Sequence, residues 1–197
     1  MDSSLISYNS IVRNGGMVTN RKRAGFGRYP LRYLALGLLM KRPNHGYQLD
    51  QTLREMFGMI WKAGQTKLYV TLSNLEKEGL LRIEMERQEN RPDRKVYHLT
   101  KSGKQEFLEW VEEPIKSLRA ARVELLAKLR FYHWLDLPDP QKLIQSQAEI
   151  FQTMINEWQA DRLREKDPFL RQVYDFRINQ AQFIIKWLSD FQEDIYP

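Results

Sequence analysis

Cysteine is absent from the 197 residues of this chain. That excludes disulfides, thiolate metal sites and thiol catalysis, and it suits a reducing compartment. No stretch approaches the roughly 18 consecutive apolar residues of a membrane span, and the first residues lack the apolar centre of a signal peptide. Nucleophile-elbow, P-loop and dinucleotide fingerprints are missing, and His45, His98 and His133 lack metal-ligand spacing. The expectation is a cytoplasmic protein that is not an enzyme and carries no catalytic residue, metal or cofactor.

What is present is positive charge, unevenly placed. The formal charge is +6, which fits a polyanion partner without saying which one. Residues 1–30 carry five Lys or Arg against one acid, residues 31–113 carry fourteen against twelve, and residues 114–197 carry twelve of each. Residues 1–28, with Gly15, Gly16, Gly25, Gly27 and the cluster Arg21-Lys22-Arg23, read as a mobile basic arm.

From Leu31 the pattern is helical. Leu31, Leu34, Ala35, Leu38 and Leu39 predict a first helix, closed at Pro43. A second is predicted over residues 46–57 with Tyr47, Leu49, Leu53, Met56 and Phe57 apolar, and Gly58 stops it. A third spans about 65–78, where Leu68, Leu72 and Leu75 face inward and Gly79 caps the end. Residues 80–88 then alternate, with Leu81, Ile83 and Met85 on one side and Arg82, Glu84 and Glu86 on the other, as in a half-buried strand. A turn over 90–95 leads to a partner strand over 96–100, and Thr100 is placed to cap a fourth helix.

Three helices followed by a β-hairpin are the order of a winged helix-turn-helix. Beyond Pro114 the pattern is purely helical over 119–135, 139–165 and 168–194. Long amphipathic helices in so short a segment close a compact core poorly alone, so they are expected to pack on another subunit. The fold class is therefore mainly α, with a winged helix-turn-helix domain over 29–113 and an all-α dimerisation domain of long helices over 114–197.

With the leucines turned inward, the third helix offers Gln65, Thr66, Lys67, Tyr69, Val70, Ser73, Asn74 and Lys77 to its surroundings. Lys and Asn suit base edges, Ser, Thr and Tyr suit phosphates, and Val suits a thymine methyl. Arg91, Arg94 and Lys95 sit on the predicted wing turn, where they can clamp a backbone or enter a minor groove. Trp61, Trp110, Trp134, Trp158 and Trp187 read as core or subunit-packing residues before they read as an effector pocket.

The arrangement resembles the PadR family of winged-helix transcriptional regulators. The resemblance covers residues 31–113 and rests on Leu36-Gly-Leu-Leu39, His45-Gly-Tyr-Gln-Leu49, Leu68-Tyr69 with Leu72 and Leu75, Glu78-Gly79, and Arg91 through Lys95-Val-Tyr-His-Leu-Thr100 with Gly103. The C-terminal helices look like the longer, virulence-activator-type tail, through Ala127-Lys-Leu-Arg-Phe131 and Trp187-Leu188. The resemblance implies a homodimer joined by its C-terminal helices that binds double-stranded DNA at an inverted-repeat operator and represses. It also implies release by a small aromatic effector, as some relatives bind such ligands. Gln65-Thr66-Lys67 and Val70-Thr71 depart from the family pattern, so no operator sequence carries over. The competing reading is a winged-helix module that binds a protein instead of DNA.

Overall fold

The computed structural model describes residues 30–87 and 93–196. The basic arm and Arg91 lie outside the described residues. Helix α1 (Leu31–Leu38) is apolar on nearly every side and is buried accordingly. A short strand β1 (Asn44–His45), which its two residues give no periodicity to reveal, precedes α2 (Gly46–Phe57). Gly58 does follow α2, but in ordinary right-handed conformation.

Helix α3 (Gln65–Lys77) turns Leu68, Leu72 and Leu75 inward, as their spacing predicts. Its end is a Schellman turn. Gly79 takes φ +74°, its N–H donates to Glu76 O, and the Leu80 N–H donates to Leu75 O. Strands β2 (Leu81–Glu86) and β3 (Arg94–Leu99) follow, and β1 adds to the free edge of β3, giving an antiparallel sheet of order β1-β3-β2. Leu81 is buried, Ile83 half-buried and Met85 exposed, so the inward set fades as the hairpin extends beyond the helices. The partner strand starts two residues earlier than predicted. Arg94 and Lys95 are therefore strand residues opposite Glu86 and Met85, held by ladder bonds rather than free in a turn.

Thr100 joins three elements at the base of the hairpin. Its hydroxyl accepts from Gly103 N (3.1 Å) to cap α4 (Lys101–Glu112) and lies 2.9 and 3.0 Å from the carbonyls of Gly79 and Leu80.

After α4 the chain forms a rod: α5 (Leu118–Ala120), a π-helical turn Ala121–Leu125, and α6 (Leu126–Leu135), stopped at Asp136 with φ 52°. Phe131 of α6 inserts between Phe57 and Phe107, with ring centroids 5.1 Å from each, so this rod shares a core with the first four helices. Lys128 is buried beneath Trp110, its ammonium held by the Glu113 carbonyl and by Glu124 at 3.3 Å. Burial pushes its pKa down, and the Glu124 carboxylate opposes that shift. The Gln147 amide spans the backbone of Ile115, accepting from its N–H at 2.7 Å and donating to its carbonyl at 3.0 Å.

Helices α7 (Pro140–Arg164) and α8 (Pro168–Ile195) form an antiparallel hairpin. Each begins on a proline, whose missing N–H costs nothing in a first turn. The pair is tied by Arg162 to Asp175 (Nη2 to Oδ2 2.8 Å) and by Arg177 over the Trp158 ring at 4.2 Å.

Burial pushes the Tyr132 hydroxyl up to about 12. An unfolded tyrosine ionises near 10, so between about pH 10 and about pH 12 the unfolded state releases a proton that the folded state keeps. Stability is expected to fall with rising pH across that window. In Tyr132→Phe the urea midpoint should fall less steeply there, and an unchanged slope would contradict the assignment.

Candidate nucleic-acid interface

At about 100° per residue, the three buried leucines occupy one narrow arc of α3, and the predicted site residues span the opposite side. Gln65, Thr66, Lys67, Tyr69, Val70, Ser73, Asn74 and Lys77 are all exposed. Thr66, Val70, Ser73 and Lys77 run along the middle of that surface at i, i+4, i+7 and i+11. Lys67 and Asn74 form one flank, while Gln65 and Tyr69 form the other. The Thr71 hydroxyl donates back to the Lys67 carbonyl (2.8 Å), which removes it from the exposed set.

The Tyr69 flank meets the start of α2. A β-carbon added at Gly46 would lie 2.6 Å from Cε1 of Tyr69, so the glycine is what lets that ring close on the α2 N-terminus. Beside it stand three residues whose part in this surface the sequence pattern hides. Tyr47 is 47% exposed, not turned inward with its apolar neighbours. The reason is angular: Tyr47 and Leu49 lie about 200° apart on a helix, so one face cannot hold both. Tyr47 stacks on His45 (5.9 Å) and carries the Arg94 guanidinium over its ring (5.8 Å). His45 Nε2 lies 3.3 Å from Glu86, and its Nδ1 lies 3.3 Å from the Lys95 carbonyl.

Of the predicted wing cations, Arg94 is thus half-buried on Tyr47, and Lys95 is exposed. His98 lies farther back, 3.2 Å from Arg82 and 3.1 Å from Glu84. Trp110 and Trp158 are buried, and Trp61, Trp134 and Trp187 pack half-buried against the core. Trp110 stacks on Tyr33 (4.8 Å) and donates to Glu124 (2.9 Å).

Residues 35–109 match the sequence profile of the transcriptional regulator PadR-like family. The negative transcriptional regulator PadR of Bacillus subtilis (strain 168) is 30% identical over 132 residues, 66% of this chain and 71% of that relative. The chain belongs to the PadR-like family. Among solved structures, Bacillus subtilis PadR in complex with operator DNA superposes with TM-score 0.44 at 24% identity, covering 84% of this chain and 98% of that one. A Streptococcus mutans UA159 protein superposes with TM-score 0.41 at 20% identity, covering 82% and 98%. Membership of a family of transcriptional regulators agrees with the non-enzymatic expectation. No helix among the described residues of this PadR-like protein is long and apolar enough to cross a membrane.

Proposed function

We propose that this PadR-like protein is a cytoplasmic repressor that reads an inverted-repeat operator as a homodimer. The observation that carries the reading is α3: eight exposed residues of groove-reading types on a helix anchored by three leucines, beside a hairpin that carries Arg94 and Lys95. Lys67, Asn74 and Gln65 are the base-reading residues, Thr66, Tyr69, Ser73 and Lys77 hold phosphates, and Val70 meets a thymine methyl. Arg94, Lys95 and Arg91 of the wing grip the flanking backbone. Repression fits the relative named a negative regulator, which has been crystallised with operator DNA.

Residues 29–113 form the DNA-binding head and residues 114–197 the dimerisation domain. Helix α8 supports the dimer, since Phe169, Val173, Phe176 and Phe183 stand exposed along one stripe of it. Two heads related by a two-fold axis place their third helices about one or two DNA turns apart. A small aromatic effector would release the DNA. The Trp134 ring, with the Lys41 ammonium 4.3 Å from its centroid, borders a cavity of about 280 Å³ between α1, α2 and α6, small for such a molecule.

Selection of bound duplexes from a random pool at about 0.15 M salt tests the reading, because exposed charge attraction is well screened there. An enriched palindrome is expected, and no enrichment would overturn it in favour of a protein-binding module. On the selected operator, Lys67→Ala is expected to change which bases are preferred, and Arg94→Ala to weaken all sequences alike. The reverse pattern would exchange the two roles. Affinity should fall steeply with salt, and a slope near zero would remove the phosphate contacts.

A further inference from the structure

A second basic surface on the head is left unused by this mode of operator reading. An open groove runs between the loop after α1, the outer face of the hairpin and the first turn of α4. Lys41, Arg42, Arg82, Lys101 and Lys104 line it, and its apolar lining includes Pro43 and Leu99. Among the described residues no Asp or Glu lines it.

Residues 31–113 carry only fourteen basic against twelve acidic residues, yet five of the fourteen gather here. Lys41 is engaged by Trp134, and Arg82 shares Glu84 with His98 at the edge of the groove. Arg42, Lys101 and Lys104 make no ion pair among the described residues.

The placement of two of these lysines also runs against local preference. The first turn of α4 holds Lys101 and Lys104 and no acid, although the positive end of a helix dipole disfavours cations there. A negatively charged occupant would relieve both the mutual repulsion and the dipole.

The groove lies away from the DNA-reading surface. Arg82 pairs with His98 near the open base of the hairpin, four residues from the Glu86 and Arg94 pair beside the turn, or about 13 Å along the strands. The chain leaves the C-terminal end of α3 through Gly79 directly into this base, whereas Tyr69 meets Gly46 nearer the turn end of the ladder.

We propose that this groove docks an acidic, partly apolar segment of a partner protein while the head holds its operator. Interspersed leucine-like side chains cover Pro43 and Leu99 while carboxylates pair with Arg42, Lys101 and Lys104. A DNA backbone brings phosphates but no apolar group for that lining. The remoteness of the groove rests on α3 being the DNA-facing helix, whereas its charge and apolar lining do not.

The test uses the full chain and a fluorescent peptide that alternates glutamate pairs with single leucines, followed by anisotropy at about 0.15 M salt with and without operator duplex. Binding is expected in both cases. Lys101→Glu with Lys104→Glu should weaken it by about tenfold or more, while operator affinity changes by less than about twofold. Arg42→Glu, on a different element, should act in the same direction, and an unchanged thermal midpoint shows that each variant is folded.

Absence of peptide binding overturns the proposal. So does displacement of the peptide by the operator together with loss of operator affinity in the variants, which would make the groove a phosphate-binding surface. Equal binding of a peptide with glycine in place of leucine overturns the apolar part. Peptide binding by a protein that selects no duplex would leave the groove standing and remove the operator reading.

Discussion

Phe176→Glu is expected to turn the proposed homodimer into a monomer and to cost it the proposed operator binding. Phe176 is 68% exposed, as is Phe183, while Phe169 is 72% exposed and Val173 37%. These four positions are separated by four, three and seven residues, which is the a/d spacing of a helix seam. Helix α8 buries only Ile178, Ala181 and Leu188 within its own chain, so its apolar stripe lacks an intramolecular partner among the described residues. Covering a phenylalanine contributes about 1.5–3 kcal/mol, and a two-fold axis counts each position twice. A glutamate there forfeits that gain and sets two carboxylates near each other. Sedimentation equilibrium should show a monomer that keeps its helical circular dichroism. Operator affinity should fall by about 10² to 10⁴, because the second head no longer binds as a tethered partner. A variant that remains dimeric would move the subunit contact away from this stripe.

Gly103→Ala is expected to destabilise the head by about 1–3 kcal/mol or more. A β-carbon at that position would sit 2.2 Å from the Leu80 carbonyl oxygen and 2.9 Å from Leu99 Cδ1. The oxygen belongs to the backbone at the start of the hairpin, and it also receives the Thr100 N–H at 3.1 Å. It cannot withdraw without breaking that junction. Urea unfolding should show a lowered midpoint with an unchanged slope. A variant within about 1 kcal/mol of the parent would mean that α4 shifts freely relative to the sheet, against the tight cap described above.

Position 103 also shows how far the sequence could be read. Its glycine stands out in the string, but its cause, a carbonyl from a residue 23 positions earlier, appears only when the hairpin folds back. The leucines of α3 and the glycine that ends it were legible because helical period and left-handed turn chemistry are local. The same holds for Thr100 as a cap and for the prolines that open α7 and α8. Two-residue β1 was not legible, since it exists only as an edge partner of β3. Arg94 falls in the expected turn because strand ends carry no periodic mark, and its seat on Tyr47 depends on an element more than forty residues away. Tyr47 counts among the apolar residues of the second helix, and only its angle from Leu49 places it outside. On α3 nearly the whole candidate surface could be listed in advance. The basic groove could not, because it is assembled from the α1 loop, both long strands and α4.

The π-helical turn at Ala121–Leu125 acts on the molecule as an angular setting. A π turn accommodates one extra residue within an otherwise α-helical path, and each residue of an α-helix corresponds to about 100° of rotation. The rod that carries this turn joins the end of α4 to the Phe131 anchor and then leads to α7 and α8. Loss of a single residue there would therefore change the rotational phase between α4 and α6, with every local contact on α3 intact. Either Phe131 would leave its seat between Phe57 and Phe107, or α4 would have to turn with the rod.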